Sequence, residues 1–206
     1  MTRIIFFDFD GVIKESLDVK TNAFIKLFKP FGNSISERVR NHHLSNGGMS
    51  RYEKFPIYFE WANMVSNQDL VNSYSEQFSK LVFNGVVDSD WVPGVKQFIK
   101  KNFRKAILII VSATPQNELE DILLALDLRK YFSDVFGAPA SKKDSIKKSL
   151  LKYSIDSKNC IMIGDARADM DAASFNNVPF ILRMHETNKD LFEKYSGEKI
   201  KNFRNL

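Results

Sequence analysis

Aspartates carry most of the chemistry that this sequence offers. Asp8 and Asp10 leave the apolar run Ile4-Ile5-Phe6-Phe7, and Gly11 follows them. An ionised carboxylate is costly to take out of water unless a cation or donor meets it, so this pair predicts a bound cation or proton transfer. Asp-Gly is also a common hairpin dipeptide, and the stretch by itself leaves both readings open. A second pair, Asp165 and Asp169, follows Cys160-Ile161-Met162-Ile163-Gly164. That spacing puts one carboxylate at a strand tip and the other in the first turn of a helix, where the helix dipole alone also favours acids. An EF-hand is excluded, because its Asp-x-Asp-x-Asp-Gly ligand order is absent.

Anion-binding groups accompany the acids. In Val111-Ser112-Ala113-Thr114-Pro115, Thr114 reads as a helix N-cap and Pro115 as the first helical residue, leaving backbone amides free to face an anion. Ser141-Lys142-Lys143-Asp144 opens another helix with lysines, against the dipole, so it reads either as an anion site or as an exposed basic turn. Lys142, next to the cap, is favoured over Lys143. In Asn46-Gly47-Gly48-Met49-Ser50-Arg51 the glycines allow close approach, and Arg51 is placed either to clamp a second anionic group or to stand in solvent. His42 and His43 read as surface residues, and Tyr52, Phe55 and Trp61 as helix core.

The elements that must position these groups follow from periodicity. Ile4–Phe7 is a short strand buried on both faces, of the kind found in parallel sheets. Residues 15–90 read as helical throughout, with Phe24, Leu27, Phe28 and Phe31 on one face. Further helices are expected over 36–43, after Ser50, and after a capping box formed by Ser66 and Asp69. From Trp91 onward helices alternate with strands at 106–111, 135–136, 160–163 and 179–182, the pattern of a parallel sheet built from βαβ units. Three of the strands end in Asp8 and Asp10, Ser112 and Asp165. Ligands of such sheets gather at the carboxyl ends of the strands.

In this order the four groups resemble the motifs of the haloacid dehalogenase-like hydrolases: Asp8-Phe9-Asp10-Gly11-Val12, Ser112, Lys142, and Gly164-Asp165 through Asp169. The resemblance spans nearly the whole chain. It implies an α/β fold, a Rossmann-like parallel sheet with helices on both faces, formed by residues 1–14 and 91–206. Residues 15–90 would be a helical cap of the C1 type. It further implies Asp8 as nucleophile towards a phosphate monoester, forming an aspartyl-phosphate, and Asp10 as general acid and base. Mg²⁺ would be held by Asp8, the Asp10 carbonyl, Asp165 and Asp169, with Ser112, Ala113 and Lys142 on the phosphoryl oxygens. The expected substrate is a small phosphorylated metabolite, a sugar phosphate or a phosphoglycolate-like acid. A phosphomutase similar to β-phosphoglucomutase is the chemical alternative, although Gly164-Asp165 resembles the phosphatase form of the last motif. A noncatalytic binding protein on the same fold is the alternative of another class.

Composition limits the remaining choices. The 206 residues, 44% of them hydrophobic and 18 of them Phe, suffice for one α/β domain with an insertion. A single cysteine, Cys160, excludes an internal disulfide and suits a reducing compartment, so a cytoplasmic location is expected. The N-terminal apolar run is broken by acids before it reaches signal-peptide length, and no segment reads as a membrane span. The net charge of +5 is spread along the chain, so small anions rather than nucleic acid are the expected partners, with a monomer or homodimer as the assembly.

Overall fold

In the computed structural model, which describes residues 3–206, six parallel strands form one sheet in the order β3-β2-β1-β4-β5-β6. The strands are β1 (Ile4–Phe7), β2 (Ile107–Pro115), β3 (Asp134–Ala138), β4 (Cys160–Gly164), β5 (Phe180–Arg183) and β6 (Glu198–Ile200). β1 lies in the middle, with Phe7 in register with Ile110 of β2 on one side and Ile163 of β4 on the other. The two acid-bearing strands, β1 and β4, therefore lie side by side and point the same way. All four residues of β1 are buried, as a central strand covered by helices requires.

Side-chain alternation divides the core between the two faces. Ile5 and Phe7 pack with Ile99 of α5 (Val95–Asn102) and with Leu119 and Ile122 of α6 (Gln116–Ala125). Ile4 and Phe6 pack with Ile146 and Ala172, from α7 (Lys142–Tyr153) and α8 (Arg167–Phe175). Cys160 is a free, buried thiol in this second layer.

Between β1 and α5 the chain forms four helices: α1 (Leu17–Phe28), α2 (Asn33–Ser45), α3 (Arg51–Trp61) and α4 (Gln68–Asp88). Aromatic rings fill their centre, with Phe24 and Phe78 at 4.3 Å and Phe55 stacked on Phe59 at 5.8 Å between centroids. Ser50 caps α3 in a full capping box with Glu53. At α4 the expected Ser66 box does not form. Asn67 caps instead, accepting from the Leu70 amide at 2.8 Å, because an Asn side chain serves an N-cap as well as Ser does. β6 had no counterpart in the sequence reading; it is three residues long and partly exposed, with two charged side chains.

Candidate active site

The chain turns sharply after β1. The carbonyl of Phe9 accepts from the amides of Val12, Ile13 and Lys14, and Gly11 takes a positive φ of 75°. A Cβ at Gly11 would also run into the Asp165 carboxylate, so close approach as well as conformation calls for glycine there. The turn leaves Asp8 buried at the strand tip. Its Oδ1 accepts from the Phe9 amide at 2.7 Å, and its Oδ2 lies 3.0 Å from Lys142 Nζ.

β4 and α8 supply the second acid pair. Asp169 is fully buried, and its Oδ2 accepts from the amides of Ala166 (3.1 Å) and Asp165 (3.3 Å), which ties the loop to the first helical turn. Its Oδ1 accepts from Lys142 Nζ at 2.6 Å. Lys142, the first residue of α7, thus joins Asp8 to Asp169, and Ser141 caps that helix by accepting from the Asp144 amide. Lys143 is exposed, 5.5 Å from the Phe175 ring centroid. Asp165 Oδ2 lies 2.9 Å from His185 Nε2, and the Asp165 carbonyl accepts from Asn188.

Asp8, Asp165 and Asp169 each offer an oxygen within 4.8 Å of the others. Burial and then the charge of Asp169 push the Asp8 carboxyl up to about 7 despite Lys142. Burial likewise raises Asp165, against a hydrogen bond from His185, and Asp169, against Lys142. Three carboxylates that resist ionising together form a centre short of positive charge. This oxygen-only donor set fits a hard divalent cation such as Mg²⁺.

Asp10 is turned away from this trio. Its carboxylate accepts from Ser16 Oγ (2.6 Å) and Thr114 Oγ1 (3.2 Å) and is paired with Lys20. Burial pushes its pKa up, but Lys20 and the two hydroxyls outweigh burial and hold it below the ordinary value. Only its backbone carbonyl remains as the group expected to meet a cation. Thr114 does not cap a helix, as had been expected. β2 runs on to Pro115, which is itself the N-cap of α6, and the Thr114 hydroxyl serves Asp10 instead. Ser112 and Ala113 line the cavity between sheet and insertion, and Ser112 Oγ donates to Thr114 Oγ1 at 3.2 Å.

Arg51 also departs from the reading as an anion clamp. Its guanidinium donates to both carboxylate oxygens of Glu118 on α6, at 2.9 and 2.7 Å, and to Ser79 Oγ at 2.7 Å. Ser79 donates in turn to Glu118. A protein carboxylate has taken the place foreseen for a substrate anion. The histidines expected at the surface are engaged too. His42 Nδ1 lies 3.1 Å from the Tyr58 hydroxyl, while His43 packs 4.8 Å from the Phe24 ring and lines the cavity.

Residues 5–183 match the family model of the haloacid dehalogenase-like hydrolases. The chain belongs to that family. A phosphorylated carbohydrates phosphatase of Thermotoga maritima is 27% identical to this family member over 135 residues, 65% of this chain and 60% of the relative. The match thus spans less than two thirds of that relative's length. A β-phosphoglucomutase from Clostridium difficile has the same fold, with a TM-score of 0.79 at 20% identity over 100% of this chain and 93% of that one. A predicted phosphoglycolate phosphatase from Haemophilus somnus 129PT superposes with a TM-score of 0.75 at 17% identity over 98% and 95% of the two chains. Among the described residues of this family member, no helix is long and apolar enough to cross a membrane.

Proposed function

We propose that the protein is a Mg²⁺-dependent phosphatase that hydrolyses a small phosphorylated metabolite, a sugar phosphate or phosphoglycolate-like acid, through an aspartyl-phosphate on Asp8. The observation that carries this reading is the meeting of Asp8, Asp165 and Asp169 around Lys142 where β1 and β4 end. Helices α1–α4, within residues 15–90, act as the cap that closes over the cavity. That cavity encloses about 100 Å³, a size that suits a compact substrate.

Asp8, Asp165 and Asp169, with the Asp10 carbonyl, would hold the cation, which when bound supplies positive charge against the carboxylates and the phosphoryl oxygens. The protein's own groups account for the rest. A carboxylate oxygen of Asp8, held in place by the Phe9 amide and Lys142, attacks phosphorus, and the alcohol leaves with a proton from Asp10. Asp10 then takes a proton from water as that water attacks the acyl phosphate, releasing phosphate and restoring Asp8. An arriving phosphate adds negative charge beside Asp10, which offsets Lys20 and raises the affinity of Asp10 for the proton it must donate. Ser112, the backbone at Ala113, and Lys142 stabilise the phosphoryl oxygens as charge develops.

Hydrolysis is favoured over phosphoryl transfer between sugar positions by Gly164. A Cβ there would collide with the Asp169 side chain, so the Glu found before the Asp in the mutase form of the motif has no room in this packing. Incubation with a hexose 1-phosphate and Mg²⁺ tests the assignment. Whatever turnover occurs is expected to give free phosphate and sugar, and an isomeric sugar phosphate without free phosphate would establish the mutase instead.

A further inference from the structure

The cations in and beside the cavity are not alike. Lys142 is matched by Asp8 and Asp169, Lys20 by Asp10, and Arg51 by Glu118. Lys54, on α3, has no such partner: among the described residues no carboxylate lies within salt-bridge distance of it. Its side chain lines the cavity although the residue is only 2% exposed. What holds Nζ is uncharged, namely His43 Nδ1 at 2.8 Å and the face of Phe24, 5.6 Å from the ring centroid. A buried ammonium without a counter-ion is costly, and the methyl end of a methionine would pack the same space without that cost. Burial, and then Lys20, depress the Lys54 pKa to about 7, as befits a cation that lacks an anion. Burial, and then Lys54 itself, keep His43 well below its ordinary value, so its ring accepts rather than competes for charge.

We propose that Lys54, aimed by His43, receives a second anionic group of the substrate, a carboxylate or a second phosphate, on the α3 side of the cavity that Asp8 also lines. The inference rests on the phosphatase reading and narrows its substrate class to compact phosphate monoesters with a further anionic end. It also reassigns the anion-binding role that the sequence suggested for Arg51, since Glu118 already neutralises that residue.

A matched set of two-carbon probes tests it: phosphoglycolate, ethylene glycol bisphosphate and ethyl phosphate. Binding is measured by calorimetry with Mg²⁺ in an Asp8→Asn background, where turnover plays no part, with Lys54 intact and as Lys54→Met. The methionine variant should weaken phosphoglycolate or the bisphosphate about ten- to a hundredfold, the worth of a hydrogen bond to a charged group, and leave ethyl phosphate nearly unchanged. Whichever doubly anionic probe loses more identifies the group received. Lys54→Met should melt no lower than its parent, because it removes an unpaired buried charge, and Lys54→Gln provides a second neutral variant. Equal losses on all three probes, or none, overturn the anion site. Failure of the wild-type protein to release phosphate from any of them overturns hydrolysis instead, so the two readings fail separately.

Discussion

The different roles proposed for Asp8 and Asp10 rest on different neighbours. Asp8 faces other carboxylates and a shared lysine, whereas Asp10 faces Lys20 and two hydroxyls. Asp8→Asn should abolish phosphate release, and turnover at the wild-type rate would dismiss the nucleophile. Asp10→Asn should cost about 10²–10⁴ in kcat, the usual scale of a general acid and base. Asp8 also makes a prediction about stability. Its pKa rises from 3.8 to about 7 in the folded, metal-free protein, so between those values the native state binds a proton that the unfolded chain has released. Stability in EDTA should therefore fall as pH rises through that window. The Asp8→Asn variant should be more stable than wild type at pH 7 and show a shallower slope, and identical melting curves would refute the assignment. Asp165 and Asp169 act in the same direction; Asp10, held low, instead adds stability that is present above its ordinary value and is lost as pH falls below it. The acids were legible in the sequence because Asp at the end of an apolar run is conspicuous. Lys20 was not: it belongs to a helix recognised by the apolar face of Phe24, Leu27 and Phe28, and only the fold shows that its ammonium meets Asp10.

At the scale of elements, sequence periodicity located the central strands and the helical insertion, since alternation and 3.6-residue repeats survive packing. It failed where local chemistry was ambiguous. A Thr-Pro pair is normally a helix start, yet the pairing of β2 with β3 carries the strand on to Pro115 and frees Thr114 for Asp10. β6 has only one apolar residue, Ile200, too few for a strand to be recognised. The Arg51 contact was equally hidden, because Glu118 is far away in sequence and meets it only once α3 and α4 lie on α6. Glu118→Gln should lower stability by about 3–5 kcal/mol, since it leaves a buried guanidinium unmatched. The double variant Arg51→Met/Glu118→Leu should lose much less, and additive losses in a denaturant titration would contradict a coupled buried pair.

For the whole molecule the decisive reagent is the cation. EDTA should stop phosphate release, and added Mg²⁺ should restore it and raise the melting temperature. The stabilisation expected at a hundred times the dissociation constant is about 2.7 kcal/mol. A rate indifferent to chelation would remove the metal from the mechanism. The Arg51–Glu118 contact has a further consequence for the timing of events. Because a protein carboxylate rather than a ligand satisfies Arg51, the proposed cap would be able to shut without anything inside, and substrate would then enter during spontaneous openings. Association measured by stopped flow should then level off at high ligand concentration, at a ceiling set by the opening rate rather than by diffusion. Glu118→Gln, by weakening the fastening, should lift that ceiling.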